Sequence, residues 1–164
     1  SLNIGLNHIH EISKHSSVMT ISILDDDDIW LDNRKIEKQY RFLKKNPKFY
    51  LVSTRCNVVN KKNIIILEGD RQYTGVVDKN KILQSNPIIH SSVMYRAEKI
   101  FADSIRYDEE FIRTQDWAMW IDLVVNKGKA IVKGQDKCCR QETFTLSVSS
   151  IADFICCFET CLAP

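Results

Sequence analysis

The chain has 164 residues, 44% hydrophobic and 27% charged, which is ordinary globular usage and excludes disordered and fibrous classes. Twenty-three Lys and Arg against 21 Asp and Glu leave a formal charge of +2, so nothing general in the electrostatics calls for nucleic acid or an anionic membrane. Five Gly and three Pro exclude collagen-like and linker-rich chains, and no apolar run approaches the roughly 20 residues that cross a bilayer.

Leu2, Leu6, Ile9 and Ile12 recur at helical spacing and predict an amphipathic helix over residues 3–14. Residues 18–24 form a mostly apolar, β-branched run that reads as a buried strand, and it ends abruptly in Asp25-Asp26-Asp27-Asp28. Asp32 can cap a helix whose buried stripe is Ile36, Tyr40 and Leu43, ended by Asn46-Pro47. Residues 49–59 and 63–68 are strand-like, and Asn60-Lys61-Lys62 between them suits a hairpin. Residues 69–75 read as a polar loop, a short helix follows Asp78, and residues 88–96, after Pro87, read as another strand. Trp117, Trp120, Ile121, Val124 and Val125 make the stripe of a helix stopped by Gly128, with residues 129–133 a short strand. Ile151, Phe154, Ile155, Phe158 and Leu162 predict a terminal helix after Ser149-Ser150. Strands and helices that alternate and then lose regularity argue for one α/β layered domain over residues 1–164, with a mixed sheet and no internal repeat.

Cys138-Cys139 and Cys156-Cys157 are adjacent pairs, Cys161 follows, and Cys56 stands alone. No C-x-x-C occurs, and His8, His10, His15 and His90 form no i, i+4 pair with a partner acid, so zinc-site spacings are absent. Small, buried, reduced thiols are the expectation, which suits the cytoplasm. Residues 1–20 also lack the basic start and apolar centre of a secretory signal, so a cytoplasmic protein is expected.

The aspartate run carries the strongest chemical signal. Ile23-Leu24 and Ile29-Trp30 flank it and would hold it at the edge of the core. Carboxylates crowded there repel one another unless a cation compensates, and hard oxygen ligands suit Mg²⁺ or Mn²⁺. Such ions are usually held by one or two carboxylates plus substrate phosphates, and the carboxyl end of a strand is where open α/β sheets place ligands. Metal–phosphate binding is therefore expected over a solvated acidic turn.

Two families place aspartates this way. The run resembles the D-x-D-x-T strand end of haloacid-dehalogenase-like phosphatases, which would make Asp25 the nucleophile and Asp27 the general acid, with Thr54, Lys61 or Lys62, and Asp70 passing for later motifs. Ile stands at position 29 where that family has Thr or Val, and the interval from Asp25 to Asp70 is too short for its intervening units.

The second resemblance covers more of the chain. Ile23 to Leu31 (ILDDDDIWL), with Lys35, Glu37 and Gln39 beyond it, is similar to the D-x-D-D, aliphatic, Trp and K-x-E-x-Q pattern of glycosyltransferase family 2 enzymes of the GT-A fold. Upstream, residues 1–6 (SLNIGL) resemble the family's A-R-N-x-G stretch. Residues 86–96 (NPIIHSSVMYR) look like its acceptor-side strand, and residues 115–123 (QDWAMWIDL) like its E-D-W/Y-x-x-W-L-x-L helix start. Four patterns in the family's order, over about residues 1–150, carry the resemblance.

The resemblance implies a GT-A-like layered α/β domain, a mixed β-sheet flanked by helices, lacking the family's first strand–loop–strand units. It implies a metal-dependent glycosyltransferase of hexosyl type, moving a sugar with inversion from a nucleotide-diphosphate sugar donor to an acceptor hydroxyl on a glycan, a lipid-linked sugar or a protein. Mn²⁺ or Mg²⁺ would be held by Asp27 and Asp25 as a Lewis acid. Asp25, Asp26, Asp28 and Asn3 would form the donor side, His90, Ser91, Gln115 and Trp117 the acceptor side. Asp116 would be the catalytic base. Helix capping alone is the plainer reading of Asp116, and core packing is the reading of Trp120, Met94, Met119 and the terminal Phe stripe. Gln115 replaces the family's Glu, Leu2 its Arg, and Cys139-Arg140 matches only part of Y-R-x-H, with Glu142 in the His position. A non-catalytic GT-A relative acting as a binding module is the alternative alongside the phosphatase. No transmembrane segment and no nucleic-acid partner are expected, while peripheral membrane contact stays open.

Overall fold

The computed structural model describes residues 2–15, 20–60, 62, 64–69, 72–102, 104–111 and 113–141, with the side chains of 99, 127 and 135–141 excepted. The expected terminal helix, Cys156, Cys157, Cys161, Glu142, Asp70 and Lys61 lie outside the described residues.

The helices are α1 (Leu2–Ser13), α2 (Lys35–Lys45), α3 (Lys79–Gln84), α4 (Ala97–Ala102) and α5 (Gln115–Lys127). The strands are β1 (Thr20–Ser22), β2 (Asp28–Trp30), β3 (Phe49–Val59), β4 (Ile65–Leu67), β5 (Gly75–Val77), β6 (Met94–Arg96) and β7 (Lys129–Gln141). They form one sheet in the order β1-β6-β3-β7-β2, with β4 added to β3 and β5 to β7. The β3–β7 pair is parallel and the other pairs are antiparallel, so the sheet is mixed as expected. Among the described residues no helix is long and apolar enough to cross a membrane.

Both faces of the sheet are covered. Leu51 and Val52 are consecutive in β3 and so point to opposite faces, as do Met94 and Tyr95 in β6. Leu51 and Tyr95 join one cluster with Ile82, Ile100, Met119, Trp120 and Leu123, contributed by α3, α4 and α5. Val52 and Met94 join another with Leu43 of α2 and Phe49. Trp120, Met119 and Met94 are core, as the sequence predicts, and truncating a side chain such as Trp120 would cost about 3–5 kcal/mol. Cys56 is buried and in no disulfide.

Several elements differ from the sequence expectations. The buried stripe of α2 is Lys35, Gln39 and Leu43, whereas Ile36 is 41% exposed. Polar partners make this stripe tolerable: Lys35 Nζ donates to Gln39 Oε1 (2.7 Å) and lies over the Trp30 ring, and Gln39 Nε2 donates to the Ser92 carbonyl (2.8 Å). Asp32 sits before α2 without capping it; Arg34 is the cap residue, and Asp32 accepts from the Arg34 backbone N–H and pairs with Lys38. The expected strand over residues 88–96 is broken by a 3₁₀ turn at His90–Ser92, with β6 only its last three residues. The Ser92 hydroxyl donates to the Ile89 carbonyl (2.8 Å), a local side-chain bond that competes with strand pairing. The short strands β2 and β5 and the helix α4 carry too few residues to show a period, and β7 runs well past residue 133 because β2 and the second half of β3 pair with it there.

Candidate functional site

The β1–β6 register decides where the aspartate run lands. Ser22 pairs with Met94, and continuing that antiparallel register by three residues sets Asp25 against Ser91, in the 3₁₀ turn. The contacts follow: the Asp25 backbone N–H donates to Ser91 Oγ (3.0 Å), and Ser91 Oγ donates to Asp25 Oδ2 (2.9 Å). His90 Nδ1 lies 2.9 Å from Asp25 Oδ1 and 3.1 Å from Oδ2. Trp30 Nε1 donates to the Ser91 carbonyl (2.7 Å), so the strand leaving the aspartate run is tied to the same turn.

His90 continues inward. Its Nε2 is 3.0 Å from the Tyr107 hydroxyl, and Tyr107 is buried. Burial is the chief reason its ionisation is pushed far above the ordinary tyrosine range, helped by Tyr95 and by the charges of Asp116 and Asp25. Tyr107 therefore stays a hydroxyl donor at neutral pH and lies within the field of both carboxylates that the sequence singles out.

Asp25, Asp27, Asp28, His90, Ser91, Gln115 and Asp116 line one cavity of about 700 Å³. Asp116 opens α5, after Thr114 in the left-handed region (φ 63°), and its Oδ2 accepts from Asn86 Nδ2 (3.1 Å). Asn86 is fixed by its own turn, Oδ1 accepting from the Ile88 N–H (3.1 Å).

Three expected site residues lie elsewhere. Asn3 clasps the Tyr107 backbone, accepting its N–H (3.0 Å) and donating to its carbonyl (2.8 Å), and it does not line this cavity. Asp26 is exposed at the tip of the turn. Trp117 donates Nε1 to the Ile82 carbonyl (2.8 Å), tying α5 to α3. Thr54, which the phosphatase pattern requires, is buried in β3 and does not line the cavity.

The lining also includes Lys81, Tyr73 and Arg113, which no motif announces, and Asn86, the first residue of the stretch that resembles the acceptor-side strand.

The donor set at the turn consists of hard carboxylate oxygens, which suits Mg²⁺ or Mn²⁺. Among the described residues no group of three or more His, Cys, Asp or Glu is gathered closely enough to enclose an ion by itself. An ion at Asp25 and Asp27 would therefore depend on substrate oxygens to complete its shell, as Mg²⁺ sites commonly do.

No protein-family profile matches the chain. Over 110 residues, 66% of its length, the chain is 29% identical to an uncharacterized glycosyltransferase of Methanocaldococcus jannaschii. It is distantly similar to a glycosyltransferase. The matched stretch covers 37% of that protein, so the chain spans well under half of its relative.

Proposed function

We propose that the cavity is the site of a metal-dependent glycosyl transfer, from a nucleotide-diphosphate sugar to an acceptor hydroxyl, with inversion. The observation that carries this reading is the convergence in one cavity of the strand-end carboxylates Asp25, Asp27 and Asp28 with Asp116, from the start of a distant helix. The distant likeness to a glycosyltransferase supports glycosyl transfer in general.

In this reading Asp27, with Asp25, holds Mn²⁺ or Mg²⁺, which supplies Lewis acidity to the departing diphosphate. His90 and Ser91 fix both oxygens of Asp25, so the carboxylate is aimed before any donor arrives. Asp28 lines the same donor side. At the other group of residues Asp116 takes the proton of the attacking hydroxyl, oriented by the amide of Asn86. Gln115 lines the cavity beside it and offers an amide to the acceptor. Attack and departure on opposite faces of the anomeric carbon give inversion. Asn3, Tyr107 and His90 form the support behind the site.

The experiment is titration with UDP and GDP, with and without Mn²⁺, followed by a turnover screen of nucleotide sugars on the same preparation. Saturable, Mn²⁺-dependent binding together with turnover is the expected result. Binding without turnover would make the chain a binding relative, and release of phosphate from phosphomonoesters would replace the reading by phosphatase chemistry.

A further inference from the structure

The part of the cavity around Asp116 carries two cations that the transfer chemistry does not use. Arg113 precedes α5 by two residues, and Lys81 belongs to α3, which is tied to α5 through the Trp117–Ile82 hydrogen bond. Both line the cavity together with Tyr73, Ser85, Asn86 and Asp116.

Lys81 is a positioned charge rather than a loose surface lysine. Its ammonium lies 4.9 Å from the centroid of the Tyr73 ring. That ring is fixed, because its hydroxyl donates to the Val76 carbonyl (2.5 Å). Gly75, the first residue of β5, has a positive φ (130°), and a Cβ there would meet the tyrosine hydroxyl at 3.2 Å. A cation held over a ring keeps its charge and gives up little rotamer freedom when it binds an anion. Among the described residues, neither Lys81 nor Arg113 enters an ion pair.

A sugar hydroxyl needs no cation for recognition. An acidic acceptor approaching Asp116, Asp25, Asp27 and Asp28 would be repelled by four carboxylates unless fixed positive charge offset them. We propose that Lys81 and Arg113 recognise an anionic group, a carboxylate or a phosphate, carried by the acceptor, which makes the acceptor class an acidic glycan. This rests on the transferase reading for the word acceptor; the anion site itself rests on the cavity. The donor diphosphate is the other source of such chemistry; in the transferase reading the divalent ion held by Asp27 and Asp25 would offset its charge, while Lys81 and Arg113 line the cavity together with Asp116.

The test uses the whole chain and sugar probes that differ in charge. Binding of methyl glucuronide and glucose 6-phosphate is compared with methyl glucoside by ligand-observed NMR, for the wild type, Lys81→Met, Arg113→Met and Lys81→Arg. Mn²⁺-dependent UDP binding is measured on the same samples. The wild type should prefer at least one anionic probe by about tenfold, in line with a charge-assisted contact. Each methionine variant should lose most of that preference and Lys81→Arg should keep it, while UDP affinity changes by less than about threefold. Equal binding of charged and neutral probes would overturn the inference. So would variants that lose UDP affinity and keep the preference, since the cations would then serve the diphosphate. An intact anion preference without turnover of any nucleotide sugar would sustain the site and remove only the transferase reading.

Discussion

The imidazole of His90 meets the Asp25 carboxylate through Nδ1, 2.9 Å from Oδ1 and 3.1 Å from Oδ2, although the two residues lie 65 positions apart. With Nδ1–H donating to the carboxylate, Nε2 accepts from the Tyr107 hydroxyl 3.0 Å away. The pair is a strut: it fixes an aspartate at a strand end against a buried tyrosine. His90, expected on the acceptor side, makes its polar contacts with Asp25 and Tyr107.

The strut predicts an ordering of variants. Asn at position 90 can place its amide N–H where Nδ1 stands, whereas Gln places it where Nε2 stands. His90→Asn should therefore keep more Mn²⁺-dependent nucleotide binding than His90→Gln, and His90→Ala should lose roughly tenfold or more, the usual cost of removing a support behind a metal ligand. Calorimetry on the three variants checks the order, and equal loss in all three would reduce the contact to packing.

Asp27→Asn should abolish the Mn²⁺ dependence of nucleoside-diphosphate binding and leave the thermal midpoint near that of the wild type. Asp27 sits in the turn between β1 and β2, outside both core clusters. Unchanged metal-dependent affinity would remove it from the ligand set.

Asp116→Asn keeps the shape of the residue and a partner for Asn86 while removing its basicity. Turnover should fall by roughly 10² to 10⁴, the usual contribution of a general base, with donor affinity within about threefold. Thr114, and not Asp116, is the cap residue of α5, so if Asp116 serves only the first turn of the helix, turnover falls no further than stability does, by roughly 0.3–1 kcal/mol. Transfer, donor binding and thermal midpoint measured on one variant separate the two roles.

Tyr95 and Tyr107 are both held well above the ordinary tyrosine range, in each case chiefly by burial. The unfolded chain ionises its tyrosines near pH 10, and the folded chain resists, so their contribution is fully present below about pH 10 and is lost as pH rises beyond it. Denaturant titrations from pH 9 to 11 should show stability declining from about pH 10 upward. Tyr107→Phe removes one of the two hydroxyls and should flatten the decline by up to about 1.4 kcal/mol per pH unit, the limiting slope of one ionising group.

The local pattern of the chain determined much of this protein. A helical period locates α1 and α5, β-branched runs locate β1 and β3, and an Asp cap locates α3, because each depends on neighbours within a few residues. The aspartate run and Asp116 were likewise visible as a pattern of carboxylates at element ends. The tertiary structure decided which of them meet. That α2 buries Gln39, and Lys35 bonded to it, in place of Ile36 follows from carbonyls of Val52 and Ser92 on other elements, which no window of α2 contains. The strut from His90 to Asp25 exists because β1 and β6 pair in one register, and a shift of one residue would set the aspartate against a different side chain. Lys81 and Arg113 share a cavity only because α3 packs on α5. Sequence spacing encodes which face an element presents, whereas the company a side chain keeps across the sheet is settled by packing at long range.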